Sequence, residues 1–475
     1  MTFEIDPGSY RDPSGFVFRL DGAVYRALDA AAGNRFQQLE ADGTLAEIAG
    51  AGLIIDSQFV PEGSSLWGRL HAEVPTHRHF LRHETVEIIT YPYEWSTAML
   101  ADAALCTLAL QERLVRRGYS LKDATPYNVQ FIGAHPVFID IASIEAATRR
   151  DIWPALGQFY RLFLYPLLLK QHHDYGLRGY FRANLDGFDL DRVAGMLGLR
   201  RAFAPAMLLD VGLPYLLKRL AVRLDAGASA RSMLKKKLHV PAQNMKPQLL
   251  NLQRLANKVK SIPKKCRCSS TWTDYACNNT YSEWAETRKT QFIERFLEET
   301  RPKYVLDLGA NTGKYSELAA RHGATVMAVD SDHDCVETLY RRLLGTDAAI
   351  LPIWMDITDP SPGLGFRNRE RRAFLDRAPR GSVFALALLH HLLVTSRISV
   401  VAVRDFLCDL AEDYLILEYV DVSDQMFQRL IALRTVSYEN LTLEQLLRVF
   451  QERFVLLRQE ALPDVQRTLL LFRKR

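Results

Sequence analysis

Two different hydrophobic periods run along the chain. From Gly15 to Arg26 apolar and polar positions alternate on either side of Asp21-Gly22, which predicts an antiparallel hairpin turning at that pair. Asn34 to Ala49 has a helical period, and Gly52 to Val60 reads as a loop or a short strand. Val86 to Tyr91 predicts a further strand, stopped by Pro92. Met99 to Arg117 carries apolar residues at helical spacing and stops at Gly118. Trp153 to Leu224 is apolar and helical throughout, with Tyr160, Phe163, Leu164, Leu167 and Leu168 on a core-facing stripe.

The pattern then changes. Thr280-x-x-Glu283 is a capping box that opens a helix to about Glu299. Short, largely apolar runs follow at Val305–Leu308 (interrupted by Asp307), Ala324–Val329, Ile350–Met355 and Tyr414–Val420 (interrupted by Glu418), and Val383–Leu389 is apolar throughout. Runs of that kind are strands buried on both faces of a parallel sheet. Helical stretches such as Lys314–Arg321 and Leu443–Arg453 separate some of them, and strands near Phe454–Arg458 and Arg467–Phe472 form a closing hairpin. Strands alternating with helices predict an α/β, doubly wound, Rossmann-like sheet.

Candidate chemistry sits where these strands end. Asp307 precedes the turn Gly309-Ala310-Asn311-Thr312-Gly313, in which the glycines allow close backbone approach and Asn311 tolerates positive φ. The spacing departs from the G-x-G-x-x-G of dinucleotide folds, and an acid at the strand end repels a pyrophosphate. Asp307 suits a cationic or amino-bearing ligand instead. Asp330 ends the next strand, where an acid can accept both hydroxyls of a ribose. Asp356 ends the third, placed to accept from an adenine amino group.

D-L-G-A-N-T-G, then V-D, then M-D resembles the class I S-adenosylmethionine-dependent methyltransferases over roughly 200 C-terminal residues, the size of one domain. The resemblance implies a seven-stranded sheet with S-adenosyl-L-methionine as cofactor. It implies that Asp307 and the turn through Gly309, Asn311 and Gly313 hold the methionine end, Asp330 the ribose and Asp356 the adenine. His390-His391 follow the strand whose end faces the donor methyl, so either histidine is a candidate to take a proton from the attacking group, or to act from behind it. Glu418, Asp421 and Asp424 line the acceptor pocket or pair with Arg429 and Arg434. An arginine-dense run, Arg367 to Arg380, either clamps an anion near the opening or is one face of a solvated helix. The N-P-P-[YF] sequence of amino-methylating DNA enzymes is missing.

The first half carries a second constellation: Asp123, then Asn128, then Asp140 after a short strand. It is similar to the catalytic loop and metal-binding acid of protein-kinase-like phosphotransferases. That resemblance implies an α+β, two-lobed fold with Asp123 as base and Asn128 and Asp140 as metal ligands. The departures are a missing G-x-G-x-x-G and the absence of any lysine before Lys122. Arg26 is the stand-in for the phosphate-pairing lysine, with Glu40 or Glu47 as its helix partner, although the two cations are not interchangeable.

With 475 residues the chain is too long for one core. Its 48% hydrophobic and 24% charged residues are those of a soluble globular protein. A net charge of +5 is mild for this length and argues only weakly for a nucleic-acid or acidic-membrane partner, so nucleic acid is an unlikely one. The first residues carry acids and no apolar core, which predicts no signal peptide, and no apolar run reaches membrane-spanning length. Six cysteines without C-x-x-C spacing fit free thiols in a cytoplasmic protein and predict no metal site, Cys266-x-Cys268 with Cys277 included.

The expected layout is a kinase-like region over 1–230, a basic linker over 231–270 and a methyltransferase region over 271–475. The expected reaction is methyl transfer to an oxygen or nitrogen of a small-molecule or glycan-type acceptor. The rival is a bifunctional kinase and methyltransferase; a third reading makes the first half a module that recruits the acceptor. The order of the halves also resembles bacterial nodulation proteins of the NoeA type, which implies modification of a secreted signal or glycan.

Overall fold

The computed structural model describes residues 3–10, 12–224, 243–266, 281–432, 438 and 440–475. Lys235–Lys237, Cys268, Cys277, Thr280 and Arg434 lie outside the described residues. Strands β1 (Phe3–Ile5), β2 (Gly15–Leu20), β3 (Ala23–Leu28), β4 (Ser57–Phe59) and β5 (His79–His83) form an antiparallel sheet in the order β1-β2-β3-β5-β4. The β2–β3 turn has Asp21 at φ 50° and Gly22 at φ 83°, the left-handed pair that a tight hairpin needs. The expected Asn34–Ala49 helix is two helices, Ala30–Ala41 and Thr44–Gly50, because Gly43 between them takes φ 76°.

Val86–Tyr91 is not a strand. Its edge is satisfied by a side chain: the Thr90 amide donates to Gln130 Oε1 at 2.9 Å, and Gln130 Nε2 donates back to the Thr90 carbonyl at 2.9 Å. A buried glutamine thus replaces a neighbouring strand. The Thr97–Arg117 helix is capped by Ser96 and closed by Gly118 at φ 91°. Two small hairpin-like pairs follow, β6 (Tyr119–Leu121) with β9 (Ile144–Ala146) and β7 (Val129–Ile132) with β8 (His135–Phe138). The Lys246–Ser261 helix, within the stretch read as a basic linker, buries Leu252, Leu255 and Val259 and packs on the Thr97–Arg117 helix.

The second sheet has seven strands: β10 (Tyr304–Leu308), β11 (Thr325–Asp330), β12 (Ile350–Trp354), β13 (Gly381–Ala385), β14 (Ala411–Val420), β15 (Phe454–Ala461) and β16 (Arg467–Lys474), in the order β12-β11-β10-β13-β14-β16-β15. β16 runs antiparallel to the other six strands. The order reverses between β10 and β13, and the crevice outside the carboxyl ends of such a sheet is where ligands bind. The helix before β10 runs Glu283–Thr300 and is capped by Ser282, whose hydroxyl accepts from the Ala285 amide at 3.1 Å.

One apolar core is continuous from Leu28 in the first half to Phe472 in the second. Polar contacts join the same surfaces. Tyr340 donates to Asp102 at 2.8 Å, the Ala98 amide donates to Glu337 at 2.8 Å, and the Thr97 amide to His333 Nε2 at 3.1 Å. Arg371, Arg372 and Arg377 of the arginine-dense run belong to this junction, whereas Arg367, Arg369 and Arg380 are exposed. Arg377 is buried against Glu94, Arg371 lies over the Tyr127 ring and pairs with Glu370, and the Arg372 amide donates to Tyr91.

Candidate active site

The ends of β10, β11, β12 and β13 open on one cavity of about 1070 Å³. Asp307, Asp330 and Asp356 all line it. The β10 turn is locked by the Gly309 and Ala310 amides, which donate to the Val329 carbonyl at 2.8 and 3.0 Å. Gly309 has φ 73°, Asn311 φ 50° and Gly313 φ 85°, so the turn uses the left-handed region three times. A Cβ on Gly309 would sit 3.3 Å from Leu388 at the cavity wall, whereas one on Gly313 would sit 2.5 Å from Leu339. Gly313 therefore serves helix packing and is not among the lining residues.

Each acid is held by hydrogen bonds from the loop or helix beside it. Asp330 accepts from the Asn311 amide at 2.7 Å and the Asp332 amide at 2.8 Å, and Asp356 accepts from the Thr358 amide at 2.9 Å. Asp307 accepts from the Ser316 hydroxyl at 2.6 Å and is 3% exposed. Burial pushes its carboxyl up from 3.8 to about 6, with Ser316 and Lys289 opposing. Asp330 is also raised, by burial first.

Strand β13 ends earlier than its apolar run, at Ala385, because Ala387 takes φ 50° and turns the chain. A non-glycine residue in that region, on a cavity wall, is strain of the sort found at functional sites. His390 and His391 thus start the following helical turn rather than end a strand. His391 lines the cavity. His390 is 4% exposed, lies 4.2 Å ring to ring from His391 and stacks on Phe427. Burial lowers both histidines, helped for His391 by Arg467.

Glu418 corrects its expected place. Its side chain is fully buried, is absent from the cavity lining and faces Lys289 at 2.8 Å, the Tyr281 hydroxyl, and Arg467 at 3.7 Å. Burial raises this carboxyl, but Lys289 and Arg467 outweigh it and hold it below its ordinary value. Asp424 pairs with Arg467 at 3.0 Å, and Asp421 accepts from Tyr419 and Ser423. The network supports the cavity through Tyr281 and Lys289, which do line it. Sequence reading missed both. Lys289 carried a signal: it falls in phase with Ala285, Phe292, Ile293 and Phe296 on the buried stripe of its helix, where a lysine needs a partner.

In the first half, Asp123, Asn128 and Asp140 do come together. Asn128 donates to Asp140 at 3.3 Å, and the Asp123 charge reaches Asp140. Arg26 sits on Asp140 at 2.9 Å and near Asp12 at 3.6 Å, while Lys122 pairs with Asp12 at 3.2 Å. Arg26 has no glutamate partner on the helices: Glu47 is taken by Arg113 and Arg117, and Glu40 is exposed. The adjacent cavity, lined by Leu28, Phe36, Leu81 and Ile141, is about 10 Å³. That is room for a single water at most.

No protein-family model matches the sequence. Nodulation protein NoeA of Rhizobium meliloti (strain 1021) is 31% identical over 472 residues, covering 98% of this chain and 95% of that protein. The chain belongs to the NoeA family. Among solved structures, N-methyltransferase NodS of Bradyrhizobium japonicum WM9 matches 41% of this NoeA-family chain and 98% of its own, at 13% identity and a TM-score of 0.30. The bifunctional kinase-methyltransferase WbdD matches 40% of the NoeA-family chain and 38% of its own, at 17% identity and a TM-score of 0.29. No described helix of this NoeA-family protein is long and apolar enough to cross a membrane.

Proposed function

We propose that this NoeA-family protein is an S-adenosylmethionine-dependent methyltransferase acting on an oxygen or nitrogen of a small-molecule or glycan-type acceptor. One observation carries the reading: three carboxylates from three successive strand ends converge on a single cavity at the switch point of the sheet. The residues fit the cofactor. The bare Cα of Gly309 leaves room along the turn, and the acids match the amino, diol and adenine-amino groups in chemistry and order. Asp307 with the Gly309–Asn311 turn would hold the methionine end, Asp330 the ribose and Asp356 the adenine. When bound, S-adenosylmethionine supplies a methyl group activated by its sulfonium.

The chain's own part is orientation, exclusion of water and proton removal. His391 is held below its ordinary 6.5, so it is neutral at pH 7 and able to accept a proton from an attacking hydroxyl or amine. His390 backs its ring. The cavity, about 1070 Å³, exceeds the usual upper range for small-molecule sites, about 1,000 Å³, and so has space for an acceptor beside a cofactor. The nodulation name of the relative supports a signal or glycan as that acceptor.

Residues 271–475 form the methyltransferase part in this reading, with 231–270 connecting it to a kinase-like body over 1–230, in a cytoplasmic protein. Arg26 and Asn128 already engage the two oxygens of Asp140, which favours a first half that recruits or supports rather than one that transfers phosphate. Calorimetry with S-adenosylmethionine tests the proposal. Saturable binding weakened at least about tenfold by Asp330→Ala, a change of about 1.4 kcal/mol, is the expected outcome. Absence of binding at millimolar cofactor sinks it. Mass spectrometry of cell extracts for a gain of one methyl then identifies the acceptor.

A further inference from the structure

Every leucine from Leu199 to Leu220 lies on the outside, whereas Ala202, Met207 and Val211 are buried. Leu208, Leu213, Leu216 and Leu220 are 40–43% exposed, and Leu199, Leu209 and Leu217 are 52–58% exposed. On the Leu213–Leu224 helix, Leu213, Leu216, Leu217 and Leu220 recur at i, i+3, i+4 and i+7, which is one continuous stripe. An amphipathic helix normally turns that stripe inward. Here only Pro214 and Tyr215 of the segment from 213 to 220 are partly covered, so the stripe faces away from the body. A contiguous exposed apolar face of this kind marks a docking surface.

Charge identifies what docks. Between residues 199 and 220 the exposed charged side chains are Arg200, Arg201, Lys218 and Arg219, all cationic. Asp210, the carboxylate of that span, is 1% exposed and neutralised by Arg254 at 2.8 Å and by Lys258. Lys218 is shared with Asp191 just outside the span. Leucines on the outer face flanked by arginine and lysine, without a free acid between them, are the pattern of a helix that lies in a lipid interface.

We propose that the Leu208–Leu220 face seats this protein on an anionic membrane surface, apolar stripe in the acyl boundary and Arg200, Arg201, Lys218 and Arg219 at the headgroups. The inference is independent of the methyl-transfer reading, since none of these residues lines the large cavity.

Sedimentation of the full chain with phosphatidylcholine vesicles, with and without phosphatidylglycerol, tests it. The wild type pellets with the anionic vesicles, less so as salt rises. Leu216→Glu with Leu217→Glu weakens partitioning at least about tenfold. Lys218→Glu or Arg219→Glu weakens it by about fivefold or more each. Leu457→Glu, an equally exposed leucine on β15, changes nothing. The substituted positions are exposed, so unchanged circular dichroism and melting temperature accompany every variant. The proposal is overturned if the wild type stays in the supernatant, or if the double variant pellets as well as the wild type. It is equally overturned if the wild type is a dimer in velocity sedimentation that Leu217→Glu splits while vesicle binding is nil. The face would then be a contact between two copies.

Discussion

Asp307→Asn separates the cost of a buried carboxylate from its use. The side chain is 3% exposed, and burial lifts its carboxyl from 3.8 to about 6. A shift of that size corresponds to about 3 kcal/mol between the two protonation states. The sign follows from proton counting. Between pH 3.8 and about 6 the folded protein binds more protons at this position than the unfolded chain, so stability falls as pH rises through the window. Above it the full cost is present; below it none is. Asparagine keeps the shape and an oxygen to accept from Ser316 Oγ, now 2.6 Å from the carboxylate. The ligand-free variant should therefore melt with the wild type near pH 4 and above it at pH 8. For a chain of 475 residues melting as one unit, about 3 kcal/mol is about 3 °C. Cofactor binding should move the other way. Wild-type affinity rises with pH as Asp307 ionises to meet an ammonium, whereas the variant binds at least about tenfold more weakly at pH 8, a loss of about 1.4 kcal/mol, with no pH dependence from this position. Differential scanning fluorimetry and calorimetry at the two pH values read both effects. A variant no more stable at pH 8 than at pH 4, relative to wild type, would refute the argument that Asp307 is ionised at a cost.

Other consequences are equally accessible. Arg377→Met leaves Glu94, with 1% side-chain exposure, charged and unpaired at the junction of the halves; destabilisation by about 3–5 kcal/mol is expected in thermal melts, and Glu94→Gln added to it should restore part. His391→Gln should lower kcat about 10²–10⁴-fold with cofactor affinity unchanged, and wild-type kcat should be flat above pH 7 because the histidine titrates below 6.5; an equal loss in His390→Gln alone would reassign the proton transfer. Mg-ATP should leave the wild-type melting temperature unmoved because Arg26 already holds Asp140; saturable ATP binding that disappears in Asp140→Ala would instead establish the bifunctional reading.

What the chain order carried was local. Apolar runs marked β10, β11 and β12, and the acids closing them were visible because a parallel strand ends where its burial ends. The helix stop at Gly118 was equally local, set by a left-handed φ, whereas the start, expected at Met99, lies at Thr97 behind the Ser96 cap. What escaped were pairings between residues far apart in sequence. Gln130 replaced a strand beside Thr90, Arg377 reached back to Glu94, and Glu418 met Lys289 across 129 positions and so left the pocket it was expected to line. Hydropathy and spacing act within a few residues, so they place a carboxylate at a strand end. Only the packed fold, which brings distant cations to it or leaves it facing a cavity, decides whether that carboxylate supports the structure or meets a ligand.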